Sequence, residues 1–97
     1  MPLETVPFDA APFFDTPEAQ AELLAEAFES GEVGFIVVAL DAVARAKGAA
    51  TAAAEVRLIR QSLDEAPGGR GDPKLSTLVE VARALGFRLT VEPIAAE

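Results

Sequence analysis

Ala50-Thr51-Ala52-Ala53-Ala54-Glu55-Val56-Arg57-Leu58-Ile59-Arg60-Gln61-Ser62-Leu63-Asp64-Glu65-Ala66 is the segment on which the architecture turns. Thr51 is placed to cap a short Ala-rich helix running to about Arg57, and Ile59 to Ala66 reads as another short helix, stopped by Pro67-Gly68-Gly69. Two short helices, Ala50 to Val56 and Ile59 to Ala66, joined at Arg57-Leu58 and flanked by longer helices, have the arrangement of a helix-turn-helix module. In such a unit the first helix spans the duplex backbone and the N-terminal residues of the second reach base edges in the major groove. Arg60, Gln61 and Ser62 hold that position, and their types suit it: Arg for guanine, Gln for adenine, Ser for a base or a phosphate. Leu58 and Leu63 are expected to face the core. The same pattern also fits a plain helix pair in a small bundle, with Arg and Gln merely solvated.

Working upstream, Glu32 to Lys47 combines the β-forming run Phe35-Ile36-Val37-Val38 with helical features. Ile36, Leu40 and Val43 recur at helical spacing, alanines fill the gaps, and Arg45, Lys47 and Gly48 suit a helix C-terminus, so the spacing predicts a helix. Ser30-Gly31 separates it from an earlier helix expected over Pro17 to Glu29. Thr16-Pro17-Glu18 starts that helix with a capping hydroxyl, a proline at the first position and a carboxylate at the positive end. Leu23, Leu24, Ala27 and Phe28 share one of its faces, while Glu18, Glu22, Glu26 and Glu29 form a stripe that is solvated or faces a partner. Residues 1–15, with Val6, Phe8 and Phe13-Phe14 between prolines, read as an irregular arm packing its aromatics onto the body.

Downstream, Pro67-Gly68-Gly69-Arg70-Gly71 reads as a flexible connector. It lacks the Gly-Lys-Ser/Thr ending of a phosphate-binding loop. Asp72-Pro73 repeats the cap-then-proline start, and Leu75, Leu78, Val81, Ala82 and Leu85 make an apolar face up to Gly86. Phe87-Arg88-Leu89-Thr90-Val91-Glu92 then alternates apolar and polar residues before Pro93, the pattern of a short half-buried strand. No mate for it stands elsewhere in the sequence, so it is expected to pair with the arm or with another chain. The expectation is one all-α domain of about five helices over residues 16–93, ending in a short C-terminal strand, with 94–97 as a tail.

Length and composition agree. Ninety-seven residues suit a single core, and the absence of Cys, His, Trp and Tyr removes thiol chemistry, disulfides, imidazole acid–base work and nearly every transition-metal site. Carboxylate pairs such as Asp64-Glu65 and Glu18-Glu22 have no His, Cys or Tyr beside them and are more often solvated than catalytic, so neither an enzyme nor a cofactor is expected. The net charge of −8 argues against non-specific nucleic-acid binding. That average conceals an asymmetry: residues 1–44 carry nine of the sixteen acidic side chains and none of the eight basic ones. Such a chain can turn an acidic face to one partner and a weakly basic face to another. No apolar run approaches membrane-spanning length and no leader pattern opens the chain, so a soluble cytoplasmic protein is expected.

Phe8-Asp9-Ala10-Ala11, Thr16-Pro17-Glu18-Ala19, Ala42-Val43-Ala44-Arg45-Ala46-Lys47-Gly48 and Ala84-Leu85-Gly86-Phe87-Arg88-Leu89, in that order and spacing, resemble the HigA-like addiction-module antidote family of the lambda-repressor-like (XRE) helix-turn-helix group. Arg60-Gln61-Ser62-Leu63 resembles the family's Arg-Glu-Ser-Leu recognition helix, and Gly71-Asp72-Pro73-Lys74-Leu75 its Gly-Asn-Pro-Thr-Phe approach to the last helix. The resemblance implies an antitoxin of a type II toxin–antitoxin module. Such a protein silences a small basic toxin of the RelE/ParE type and represses the shared operon as a homodimer, here through the C-terminal strand and the adjacent helix. It places Thr51 and Arg60 near phosphates, Gln61 and Ser62 on base edges, and Lys74 in support. Charge complementarity, rather than matched residues, offers Glu18, Glu22, Glu26 and Glu29 to the toxin.

The chain also departs from the family. Val56-Arg57 stands where the family has Thr-Gly, and a turn needing positive φ tolerates Arg poorly. Ile59 replaces a capping Ser, Asp64 replaces Tyr, and Asp64 and Glu65 bring negative charge to the presumed DNA face. These changes point to weakened operator binding, or to an antitoxin that has lost it, although Arg57 could itself reach a phosphate. An acidic carrier protein is the remaining rival, but no Asp precedes Ser62 in Gln61-Ser62-Leu63 as a carrier's modified serine requires.

Overall fold

A computed structural model describes residues 15–69 and 71–95, and four α-helices account for most of them: α1 (Pro17–Ser30), α2 (Val33–Lys47), α3 (Ala50–Glu65) and α4 (Leu75–Ala84). Residues 1–14 of the expected arm at 1–15 and the end of the tail lie outside the described residues. The all-α expectation holds. Two of its details do not: the helices number four, and no strand forms among the described residues.

The missing fifth helix is explained by α3. Ala50 to Glu65 is one unbroken helix where two were expected. Neither Gly nor Pro occurs between Gly48 and Pro67, and no non-glycine described residue takes a positive φ. With Val56-Arg57 at the expected turn, nothing stops an Ala-rich segment from continuing as helix. Its buried seam is Ala52, Val56 and Ile59, continued by half-buried Leu63, a regular i, i+4, i+7, i+11 progression. Leu58 falls off that seam and is 64% exposed, contrary to its expected place in the core. Thr51 caps nothing. Ala49 holds the N-cap position and Thr51 lies exposed inside the first turn.

At the start of α1 and at the C-termini of α1 and α2 the local chemistry is as read. The Ala19 N–H donates to Thr16 Oγ1 at 3.1 Å, the capping bond expected of that hydroxyl. Gly31 (φ 72) and Gly48 (φ 66) close α1 and α2 in the left-handed conformation that leaves their turns only two residues long. Ser30 fastens the first turn: its hydroxyl donates to the Ala27 carbonyl at 2.6 Å and accepts the Glu32 N–H at 3.0 Å.

The central helix is α2, with α1 and α3 packed against it and α4 against α3. Seven α2 residues, Ile36, Val37, Ala39, Leu40, Ala42, Val43 and Ala44, are buried, so the Phe35–Val38 run reflects a helix covered on several sides rather than a strand. Leu40, Val43, Val56, Val81 and Leu85 are the largest fully buried side chains. A 3-10 turn at Pro67–Gly69 ends the α3 region, and Gly71 lies against Leu63 and Ala66. A Cβ at Gly71 would stand 2.9 Å from the Ala66 Cβ, so this part of the expected flexible connector is packed, and only glycine fits there. α4 starts at Leu75, after Lys74, rather than from an Asp72-Pro73 cap.

After α4, Gly86 (φ 92) turns the chain and the Phe87 N–H donates to the Ala82 carbonyl at 2.8 Å. Residues 87–95 then carry no regular structure. The alternating pattern is there, but a strand is defined by its ladder, and the described part of a single chain offers no mate.

Candidate partner-binding surfaces

α1 buries Gln20, Leu24 and Ala27 and turns the opposite side outward. Glu18, Glu22, Glu26 and Glu29 are all exposed on that outer side, and they span about 16 Å of helix at 1.5 Å per residue. The stripe expected from the sequence is therefore a real surface feature. It contains no basic residue, and Glu29 sits at the negative end of the helix with no cation in the last turn to balance it. Like charges at i, i+4 and i, i+3 repel, so this row does not serve the stability of α1.

The six positions that the sequence offered to DNA, Thr51, Arg57, Arg60, Gln61, Ser62 and Lys74, are all exposed, but they do not converge. In one continuous helix, successive residues diverge by about 100°, which sets Arg60 and Ser62 roughly 160° apart on opposite flanks of α3. Gln61 and Arg57 point away from the core between those flanks. Arg60 leans toward α2, its Nη2 lying 3.9 Å from Asp41 Oδ2, an oxygen that Arg45 Nε also approaches to 3.2 Å. Lys74 precedes α4 on the far side of the 3-10 turn. Glu55, Asp64 and Glu65 outnumber the two arginines of α3, so the helix carries net negative charge. Phosphate neutralisation, the main source of DNA affinity, is weak on such a surface.

One feature went unread in the sequence. A groove of about 800 Å³ opens between the start of α2 and the C-terminal half of α3. Val33, Val37, Val38 and Leu63 give it apolar walls, Glu32, Asp64 and Asp72 give it carboxylates, and Gly34 leaves open space beside the backbone. The available signal was Val38, an apolar residue out of phase with the buried face of α2 and 54% exposed. Among the described residues no group of three His, Cys, Asp or Glu side chains stands close enough to hold a metal ion, and no helix is long and apolar enough to cross a membrane.

A sequence model of the family described as "Probable addiction module antidote protein" matches residues 4–93. The chain belongs to that family. A protein of Haemophilus influenzae, named only as uncharacterized, is 28% identical over 85 residues, covering 88% of each chain. No solved structure matches the chain. Membership of the antidote family agrees with the resemblance read from the sequence as far as an addiction-module antidote. It implies a cognate toxin as partner and a binding or regulatory role rather than catalysis.

Proposed function

We propose that this antidote is the antitoxin of a type II module, acting in the cytoplasm, and that it neutralises a small basic RelE/ParE-like toxin by offering it the outer face of α1. The observation that carries this reading is the row Glu18, Glu22, Glu26 and Glu29, exposed on a helix without a single basic residue. A row of carboxylates costs α1 stability and steers a cationic protein into contact. The groove walled by Val33, Val37, Val38 and Leu63 lets an apolar side chain of the same partner anchor the complex.

The reading includes a homodimer formed through the C-terminal segment and α4, and repression of the operon by way of Thr51, Arg57, Arg60, Gln61, Ser62 and Lys74. Repression is the weakened part. The unbroken α3 and its net negative charge favour the alternative in which neutralisation is kept and operator binding is lost.

Co-expression with the adjacent reading frame tests neutralisation. The wild-type chain relieves growth arrest by the toxin, while a variant with Glu18, Glu22, Glu26 and Glu29 all changed to Lys, checked for helicity by circular dichroism, does not. Equal relief by both rules out α1 as the toxin face. A salt-titrated mobility shift with the upstream promoter tests repression, and no sequence-dependent retardation at low salt discards it.

A further inference from the structure

Residues 87–95 follow α4 without regular structure and leave apolar side chains in solvent: Val91 is 90% exposed and Leu89 39%. The segment nevertheless starts from a fixed point. Phe87 packs against the core, its N–H is bound to the Ala82 carbonyl, and the Lys47 ammonium lies 5.6 Å over its ring. In an extended chain the backbone groups of alternate residues point to opposite edges. A strand run on extended from that bond gives its outward edge to Arg88, Thr90 and Glu92. Pro93, which has no N–H, falls in the inward set, where no bond to an outside strand is lost.

We propose that this edge pairs antiparallel with the same edge of a second copy, about a two-fold axis at Thr90, so that Arg88 of each chain faces Glu92 of the other. This rests on the homodimer reading above and supplies its register. The edge is self-complementary in charge, as an isologous contact must be, and the axis doubles each pair. Leu89 lies opposite Val91 of the second copy, on the face continuous with Phe87, which covers the most exposed valine among the described residues. Slipping by one residue sets charged positions against apolar ones, and slipping by two loses both Arg–Glu pairs. A shallow, open surface lined by Arg83, Gly86, Phe87 and Arg88 lies beside this edge and presents two guanidinium groups to the incoming carboxylate. Among the described residues neither Arg83 nor Arg88 makes an ion pair of its own.

The chain has no cysteine, so single cysteines report the register directly in the full-length protein. Thr90→Cys gives a disulfide-linked dimer on oxidation, since directly opposed residues stand about 5.5 Å apart between Cα atoms, within disulfide reach. Arg88→Cys and Glu92→Cys remain unlinked alone and cross-link when mixed. By analytical ultracentrifugation, Arg88→Glu and Glu92→Arg each weaken self-association about tenfold, their mixture forms a heterodimer, and the double exchange restores wild-type affinity. A dimer with unlinked Thr90→Cys and charge variants that associate like wild type overturns this register and leaves the dimer standing. A chain that stays monomeric up to about 1 mM overturns the pairing altogether, whatever the toxin co-expression shows.

Discussion

Replacing Glu29 by Lys should make this protein more stable and a worse antitoxin. Glu29 is exposed in the last turn of α1, where the unsatisfied carbonyls concentrate partial negative charge and no cation is present. A charge at a helix end contributes about 0.3–1 kcal/mol at low salt, and reversal changes its sign. Glu26, three residues earlier, adds a like-charge pair that becomes an attraction, with about 0.2–0.5 kcal/mol on each side of zero. Together the two terms give about 1–3 kcal/mol of added stability at low ionic strength, less the screening due to an exposed site. For a domain of this size each kcal/mol raises the melting temperature by about 4–8 °C. The assay is thermal and urea unfolding at about 20 mM and about 500 mM salt, alongside toxin titration, with most of the gain gone at the higher salt. A Glu29→Lys protein that is less stable at low salt would refute the helix-end argument. One that binds toxin as tightly as wild type would refute the claim that this carboxylate is kept for a partner.

Leu40→Ala removes a fully buried side chain from the central helix and should cost about 2–5 kcal/mol, read as a lowered urea midpoint with unchanged slope. Thr16→Ala deletes the bond to the Ala19 N–H and should cost about 1 kcal/mol, with Thr16→Ser restoring most of it. Arg57→Gly places a residue about 1 kcal/mol poorer in helix propensity at the middle of α3, so amides 58–61 should exchange about fivefold faster, and unchanged exchange would argue against one continuous helix.

Much of the fold was legible because its signals are local. A hydroxyl before Pro17, glycines at 31, 48 and 86, and the heptad-like apolar spacing of α2 and α4 each act over a single turn of chain, and the helices end where those residues stand. The acidic stripe was legible for the same reason, since residues three and four apart on a helix share a face without help from any neighbour. The two short helices expected at Ala50–Val56 and Ile59–Ala66 are one helix because neither Gly nor Pro stands between Gly48 and Pro67 to separate them. Val56-Arg57 does not favour the positive φ that a turn there would need, and the helix continues through it.

What composition and spacing determined by themselves is an acidic, helical chain with its charge divided along its length, because helix propensity, capping and charge are properties of short segments. Only the packing decided the rest. Wrapping α1 and α3 around α2 buried Ile36 and Val37 of its β-forming run, turned Leu58 outward and opened the groove beside Val38. Those outcomes depend on which faces are covered by elements distant in sequence, a relation that no local pattern encodes.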